Sequence, residues 1–290
     1  AYYGVIMALS MVCGALMAYH EAKRTGQKVD DYIDYTLFGI VGGIICARLY
    51  YVIFEWDYYS KNLTQIFNLR GGGLAIYGGI IGAVVVAVIF CKVKKMKFFK
   101  FTDTAVLGLI TGQIIGRWGN FFNREAFGSY TDSLFAMQIP VADIGTNVDV
   151  TDAMKVMING VEYVQVQPTF LYESVLNLVL LILLLIFRDK KKFYGETFCR
   201  YLMGYGVIRF IVEGFRTDQL KIGSVAVSQI LSAVLFVAAL AIVIVMRMRL
   251  KGKPSQLDPI PVKKSKKSAV DIDDEAEKEE QAEEEAMEEV

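Results

Sequence analysis

The stretch "IIGRWGNFFNREAFG", residues 114–128, begins as an apolar segment and ends in charged and amide side chains. Arg117 closes the apolar run. The polar residues that follow are Asn120, Asn123, Arg124 and Glu125. A charge near the centre of a bilayer costs at least about 2.5–3.5 kcal/mol, so each such residue requires a structural or functional explanation. The stretch therefore predicts a membrane helix that ends at a polar site near the water boundary.

The rest of the chain has the composition of an integral membrane protein. Of its 290 residues, 54% are hydrophobic, against about 45–50% in soluble domains. Seven hydrophobic segments are long enough to cross a bilayer as helices, near 2–19, 33–54, 73–91, 104–118, 169–187, 197–214 and 224–247. Backbone polar groups must be satisfied internally in lipid, and no alternating barrel pattern is present. We predict an all-α protein with seven transmembrane helices.

The basic residues predict the orientation of these segments. The loops after the first, third and fifth segments and the C-terminal flank hold three, five, four and eight Lys/Arg, whereas the other loops hold two each. Because basic loops stay in the cytoplasm, the N-terminus is expected outside and the C-terminus inside. Residues 119–168 then form a small extracytoplasmic head, with a short helix near 151–158.

Residues 1–250 are the predicted membrane domain, and residues 251–290 differ from them in composition. A Lys/Pro/Ser segment is followed by "DIDDEAEKEEQAEEEAMEEV" (271–290), in which twelve acidic residues face one lysine. This pattern predicts a disordered or transiently helical cytoplasmic tail. Its basic part either lies on anionic lipid, or the tail only aids solubility.

Few residues are suited to binding a metal. The four cysteines (Cys13, Cys46, Cys91 and Cys199) lie in or beside apolar runs without paired spacing, and His20 is the single histidine. These residues predict neither a disulfide framework nor a zinc site. We expect no metal, no organic cofactor and no nucleic acid as a ligand.

Ionisable residues within the hydrophobic segments are the candidate functional groups. In the sixth segment Tyr205, Arg209, Glu213 and Arg216 recur on one helical face. Glu173 and Asn177 share a face of the fifth segment. Two interpretations are open: buried ion pairs, with Arg209 on Glu213 and Arg117 or Arg124 on Glu125, or a phosphate site. Arginine binds phosphate bidentately, and the excess of arginine favours a lipid headgroup at the outer face.

The sequence at this point resembles a known family. "GRWGNFFNREAFG" (116–128) is similar to the signature G-R-x-G-N-F-x-N-x-E-x-x-G of bacterial phosphatidylglycerol–prolipoprotein diacylglyceryl transferases. The family's other blocks are matched in the same order by 47–54, 71–82, 167–174, 205–216 and 228–232. The resemblance covers roughly residues 1–250, and the acidic tail lies outside it.

The resemblance implies a reaction in the bacterial plasma membrane, with the active site toward its outer face. The diacylglyceryl group of phosphatidylglycerol moves to the lipobox cysteine thiol of a prolipoprotein signal peptide, which gives a thioether and glycerol 1-phosphate. The implied partners are phosphatidylglycerol, prolipoprotein signal peptides and the surrounding membrane lipids. The chemistry requires a thiolate and positive charge on the leaving phosphate.

The resemblance also implies roles for individual residues. Arg117 would hold the lipid headgroup and Arg209 the leaving phosphate. Other candidates for substrate contact are Asn120, Glu125, Gly128, Glu213, Arg216, Arg48 and Tyr3. Within this set, Glu213 and Arg216 are expected to position Arg209, and Arg48 is either a headgroup contact or a structural residue. Tyr3 either contacts lipid or is an ordinary interfacial tyrosine.

The chain departs from the family pattern at Tyr77. Many members have a histidine there, proposed as the base, and a phenol with a pKa near 10 is a poor base at neutral pH. Either a nearby arginine activates Tyr77, or Tyr77 only orients substrate and another group takes the proton. We favour the second, with Tyr205 as the next candidate for that role.

Two other functions fit part of the pattern. An organic-anion transporter would also use intramembrane arginines, but it predicts internal repeats, and residues 1–118 and 169–250 show no convincing similarity. A lipid-binding scaffold without chemistry predicts that Arg→Lys changes are mild, whereas a bidentate catalytic site predicts large losses.

Overall fold

The computed structural model describes residues 2–69, 72–144, 150–217, 219, 221–223, 225–253 and 257–259. Most of them are helical. The helices are α1 Tyr2–Arg24, α2 Val29–Phe54, α3 Trp56–Tyr59, α4 Ile76–Val93, α5 Phe98–Asn123, α6 Thr169–Phe187, α7 Glu196–Phe215 and α8 Val227–Arg249. Each of the seven predicted hydrophobic segments coincides with one of the long helices, and α3 is a single short turn.

Six of the helices within these described ranges are long and apolar enough to cross a membrane, namely α1, α2, α4, α5, α8 and the helix that begins at Thr169. The protein is therefore a multi-pass membrane protein. The helix α7 does not meet the same criterion. Large apolar side chains such as Val93, Ile76 and Val237 are strongly exposed on the spanning helices, as expected of surfaces that face lipid.

Glycine lets two pairs of helices approach closely. A Cβ atom on Gly14 of α1 would lie 2.7 Å from the carbonyl oxygen of Gly108 on α5. A Cβ atom on Gly78 of α4 would lie 2.6 Å from the carbonyl oxygen of Cys46 on α2. These distances are too short for any side chain, so glycine allows backbone-to-backbone packing, which drives helix association in lipid.

The main core lies between α5, α6 and α7. Its buried members are Val106, Leu107, Ile110, Leu180, Leu181, Leu184, Tyr201, Ile208 and Val212. A further cluster joins α1, α2, α4 and α5 and includes Ala18, Tyr32, Cys91 and Phe101. Thus α5 contributes to both clusters and is the central helix of the bundle.

The described residues between 124 and 168 form a head built on a β-sheet, so the expectation of an all-α protein is wrong here. The strands β1 Met137–Pro140, β2 Lys155–Ile158 and β3 Val161–Val166 form an antiparallel sheet in the order β1-β3-β2. Met137 pairs with Val166, and Ile158 pairs with Val161. The side chains beneath the sheet are Phe127, Met137, Ile139, Met154, Val164, Val166 and Phe170. A second, two-stranded hairpin joins β4 Lys221–Ile222 to β5 Val225–Ala226.

The predicted helix near 151–158 is also wrong. Residues Asp152–Met154 form one 3-10 turn, and β2 follows directly. Asn159 and Gly160 connect β2 to β3 with positive φ angles of 51° and 81°. An Asn-Gly pair in this conformation is typical of the two-residue turn that closes a β-hairpin.

The head is tied to the helix bundle at Gly128. The backbone N–H of Gly128 donates to the carbonyl of Gln167, 3.0 Å away, just before α6. Gly128 also forms an isolated β-bridge with Arg216, which follows α7. A Cβ atom at Gly128 would lie 2.8 Å from the carbonyl oxygen of Phe215, so this junction has room for glycine alone.

The chain divides into two compact units, Ala1–Asp258 and Pro259–Val290. Of the predicted tail, all but residues 251–253 and 257–259 lies outside the described residues. The helix α8 ends at Arg249, and the boundary at residue 250 stays a prediction.

The contact between α1 and α5 generates a stability prediction. We expect Gly108→Ala to lower the thermal midpoint of the purified protein by several degrees, because its Cβ would meet backbone of Gly14 that cannot rotate away. Overpacking of this kind costs about 1–3 kcal/mol. Gly4→Ala on α1 is the matched control, since nothing lies within 4 Å of its Cβ. Equal melting curves for the two variants in detergent would contradict close packing at Gly108.

Candidate active site

A single buried carboxylate joins the arginines of two helices. Glu173 lies near the start of α6, and its side chain is 2% exposed. Its Oε1 atom is 2.7 Å from the Nη2 of Arg117 on α5, and its Oε2 atom is 3.3 Å from the Nη1 of Arg209 on α7. The two arginines that were predicted to act on the lipid are therefore brought to one place by a residue that was not in the predicted site.

A second carboxylate holds Arg209 from its own helix. Glu213 is four residues further along α7, and its Oε2 atom lies 2.5 Å from the Nη2 of Arg209. This confirms the expected Arg209–Glu213 ion pair, which follows from helical spacing. The four charged groups, Arg117, Arg209, Glu173 and Glu213, sum to zero net charge.

Tyrosines continue the polar site into α7. The Tyr205 hydroxyl donates to Oε1 of Glu173 at 3.1 Å. One turn earlier, the Tyr201 hydroxyl donates to Oε1 of Gln113 on α5 at 3.1 Å. The two phenol rings are stacked, with centroids 5.5 Å apart. Tyr205 is thus one hydrogen bond away from the carboxylate that both arginines share.

The signature asparagines lie on the last turns of α5. The structure extends this helix to Asn123, five residues beyond the predicted end, and Arg124 ends it in a left-handed conformation with φ 55°. The Nδ2 groups of Asn120 and Asn123 donate to Oε1 of Glu125 at 3.0 and 3.2 Å. These bonds hold the Glu125 side chain against the last turns of α5. The same turns carry Arg117.

The alternative ion pairs of Glu125 with Arg117 or Arg124 are not formed. Arg117 pairs with Glu173 instead, and Arg124 pairs with Asp143 of the head at 3.1 Å. Glu173 and Asp143 lie on other elements than the arginines that they bind, so the spacing of residues along one helix could not predict these pairs. The signal that was available for Glu173 is a lone carboxylate inside the apolar run "TFLYESVLNLVLLILLLIF".

Arg48 belongs to a separate, structural site. It is 6% exposed, and all five of its guanidinium N–H groups are taken by backbone carbonyls of the loop between α3 and α4. These carbonyls belong to Gln65, Ile66, Asn68, Gly72 and Gly73, at 2.6–3.0 Å. The guanidinium also lies 5.2 Å from the centre of the Tyr59 ring. Of the two roles expected for Arg48, this geometry fits the structural one.

The remaining predicted residues lie around the same end of the bundle or at the start of α4. Tyr3 on α1 packs on α5, where a Cβ at Gly119 would be 3.0 Å from its ring. Arg216 follows α7 and donates its backbone N–H to the Glu213 carbonyl at 3.1 Å. Tyr77 is half-buried in the first turn of α4.

Two further features bear on ligands. Asn177 lies one turn below Glu173 and is fully buried, and neither of its amide atoms has a hydrogen-bond partner. A buried amide of this kind normally binds water. Among the residues that the structure describes, no group of three or more histidine, cysteine, aspartate or glutamate side chains is arranged to hold a metal ion.

Comparison with known proteins identifies relatives along most of the chain. Residues 1–245 match the family described as Prolipoprotein diacylglyceryl transferase. Proteins named phosphatidylglycerol–prolipoprotein diacylglyceryl transferase from Clostridioides difficile and Finegoldia magna are each 42% identical, over 80% and 82% of this chain and 85% and 87% of their own. The protein of the same name from Lactobacillus acidophilus is 44% identical, over 82% of this chain and 83% of its own.

The Arg48 cluster generates a prediction about the loop that it holds. We expect Arg48→Lys to increase proteolytic cleavage between residues 60 and 75 and to lower thermal stability, because an ammonium group offers three donors to five carbonyls. Arg124→Lys is the control, since Arg124 is 44% exposed and a surface ion pair contributes at most about 1 kcal/mol. The structural role is contradicted if Arg48→Lys keeps native protease resistance.

Proposed function

The chain belongs to the prolipoprotein diacylglyceryl transferase family, and from this premise we propose how its residues carry out the reaction. The protein is a transferase that moves the diacylglyceryl group of phosphatidylglycerol to a prolipoprotein. The observation on which the proposed site rests is that Arg117 and Arg209, from separate helices, both contact the Glu173 carboxylate.

The proposed acceptor is the thiol of the lipobox cysteine. Its thiolate sulfur attacks the glyceryl carbon that carries the phosphate ester, so a carbon–sulfur bond forms as the carbon–oxygen bond breaks. The electron pair of the broken bond stays on the phosphate oxygen, and glycerol 1-phosphate leaves. The thioether product retains both acyl chains. Acceleration of this step requires removal of the thiol proton and stabilisation of the leaving phosphate.

Arg117 and Arg209 are the proposed phosphate ligands. Their side chains are 22% and 18% exposed, so each arginine is partly accessible although its guanidinium is anchored on a carboxylate. Anchoring holds the planar donors in a fixed orientation before the lipid arrives, and preorganised donors stabilise developing charge most effectively. Glu213 and Arg216 then act as positioning residues for Arg209.

The charge balance of the site suggests where the thiol proton goes. An incoming phosphate adds negative charge to a group of four side chains that is already neutral. We propose that the Tyr205 oxygen takes the thiol proton while the Tyr205 hydroxyl proton passes to Glu173, along the hydrogen bond between them. Neutralisation of Glu173 would weaken its two ion pairs, which releases both arginines to the leaving phosphate.

The headgroup glycerol is assigned to the end of α5. Asn120 and Glu125 form a hydrogen-bonded pair there, and both can bind hydroxyl groups. Tyr3 packs beside them, and Gly128 keeps the head close to the helix ends. Tyr77 is proposed to orient substrate without taking the proton.

We propose that the protein crosses the bacterial plasma membrane seven times, with its active site toward the outer face. The seventh span is α7, whose 20 residues extend about 30 Å, the thickness of the hydrocarbon core. Its charges Arg209 and Glu213 are paired within the bundle, which reduces the cost of placing them in lipid. The basic loops support a cytoplasmic C-terminus.

Arginine geometry can be tested directly. The purified protein is incubated with phosphatidylglycerol and a lipobox-cysteine peptide, and the peptide is weighed by mass spectrometry. We expect Arg117→Lys and Arg209→Lys each to lower the rate of diacylglyceryl addition at least about a hundredfold, because bidentate contact with phosphate is lost. Arg124→Lys should stay within about threefold of the unchanged protein. Mild effects of the first two variants would favour a scaffold role for these arginines.

The proton path predicts non-additive kinetics. We expect Tyr205→Phe to lower kcat about a hundredfold, within the usual range for general acid–base groups. Glu173→Gln should lower kcat at least as much, because Glu173 also anchors both arginines. The double variant should be no slower than Glu173→Gln alone, because both residues act on one proton. If the two losses multiply, Tyr205 and Glu173 do not share a relay.

Tyr77 provides the complementary test. We expect Tyr77→Phe to change KM and to leave kcat within about threefold, because orientation of substrate does not require the phenol oxygen to accept a proton. The measurement is the same peptide assay at varied phosphatidylglycerol concentration. A loss of kcat comparable to that of Tyr205→Phe would transfer the role of base to Tyr77.

A further inference from the structure

A cluster of lysines surrounds one tyrosine at the end of the bundle opposite the active site. The Nζ atoms of Lys97, Lys100 and Lys191 lie 5.3, 5.7 and 5.8 Å from the centre of the Tyr194 ring. Lys191 is neutralised by Asp103, a buried carboxylate 3.0 Å away. Lys97 and Lys100 have no such partner on α5 or α7.

These two lysines stand where a helix least tolerates positive charge. Lys97 immediately precedes α5 and Lys100 lies in its first turn, which contains no acidic residue, and no side chain caps the helix. The unpaired N–H groups and the dipole at a helix N-terminus favour an anion. The combination therefore provides a site for a negatively charged group.

The site already holds an anion from the chain itself. The Asp258 carboxylate lies 2.7 Å from the Nζ of Lys100 and 3.3 Å from that of Lys97. The backbone N–H of Asp258 donates to the Tyr194 hydroxyl at 2.7 Å. The hydrogen bond from Lys100, first among several, lowers the pKa of Asp258, so the carboxylate is ionised at neutral pH. Asp258 is 46% exposed, and exposed ion pairs are weak.

We propose that Lys97, Lys100 and Tyr194 form a second anion site that binds the phosphate monoester headgroup of an anionic lipid, with Asp258 as an intramolecular competitor. A phosphate monoester carries about −1.5 to −2 charge at pH 7 and offers three acceptor oxygens, so it matches two ammonium groups better than one carboxylate does.

The surroundings favour a lipid over a soluble phosphate. Phe99, between the two lysines, is 60% exposed, and Val93 at the end of α4 is 73% exposed. Apolar surface beside lysines and a tyrosine is typical of the boundary between headgroups and hydrocarbon. The proposal rests on this placement and on no step of the transfer reaction.

The test is titration of the full-length protein in detergent with phosphatidic acid, with bound lipid counted by native mass spectrometry. We expect the double variant Lys97→Gln/Lys100→Gln to bind at least about tenfold more weakly, and Asp258→Asn to bind several-fold more tightly because the competitor is lost. Lys61→Gln/Lys155→Gln is the matched control, since it removes the same charge elsewhere. Melting curves establish that each variant is folded.

Three results would overturn the proposal. Equal binding by the Lys97/Lys100 variant and by its charge-matched control would show that these lysines do not form an anion site. An unchanged affinity of Asp258→Asn for phosphatidic acid would show that the Asp258 carboxylate does not compete with the lipid. If glycerol 1-phosphate or inorganic phosphate binds as tightly as the lipid and depends on the same lysines, the ligand is a soluble phosphate and not a lipid. Transfer to the lipobox peptide, measured in the same samples, reports separately on the proposed active site.

Discussion

The proposed active site depends on one carboxylate that two arginines share. Without Glu173, Arg117 and Arg209 would be two like charges on neighbouring helices in a medium of low dielectric constant, where their repulsion is strong. With it, the pair is held together while each arginine side chain stays about a fifth exposed. Removal of one partner from a buried ion pair costs about 3–5 kcal/mol. The same residue therefore supports both helix assembly and the placement of positive charge.

The fold provides the close approach that this interaction requires. Glu173 lies near the start of α6, beside the head. Arg117 and Arg209 each lie in the last two turns of their helices. The antiparallel course of α6 thus brings its start to the ends of α5 and α7. Bonds between helices support this arrangement: the Trp118 indole N–H donates to the Ser174 hydroxyl at 3.2 Å, and that hydroxyl donates to the Ile114 carbonyl at 2.9 Å.

The parts of the structure that sequence predicted are those set by local rules. Hydropathy located the seven long helices, and the four-residue spacing of Arg209 and Glu213 gave their ion pair. The partner of Arg117 is on another helix, and no periodicity in one segment contains that information. The sequence predicts that Glu173 shares a helical face with Asn177, but the partners of Glu173 depend on how α5, α6 and α7 pack. The short helix predicted near 151–158 is wrong because Asn159-Gly160, a hairpin signal, joins two strands there.

The charges at the two ends of the bundle follow different rules. At the head end, arginines and carboxylates balance within the protein, so a phosphate can be accommodated only if a carboxylate gains a proton or an arginine exchanges partners. At the other end, Lys97 and Lys100 at the start of α5 share one carboxylate, Asp258, from a distant part of the chain, so one positive charge remains in excess. The first arrangement suits an anion that is bound and released during each turnover, because its charge is matched only transiently. At the second, a bound phosphate has only to displace Asp258, which no step of the transfer reaction drives, so this site suits an anion that stays bound.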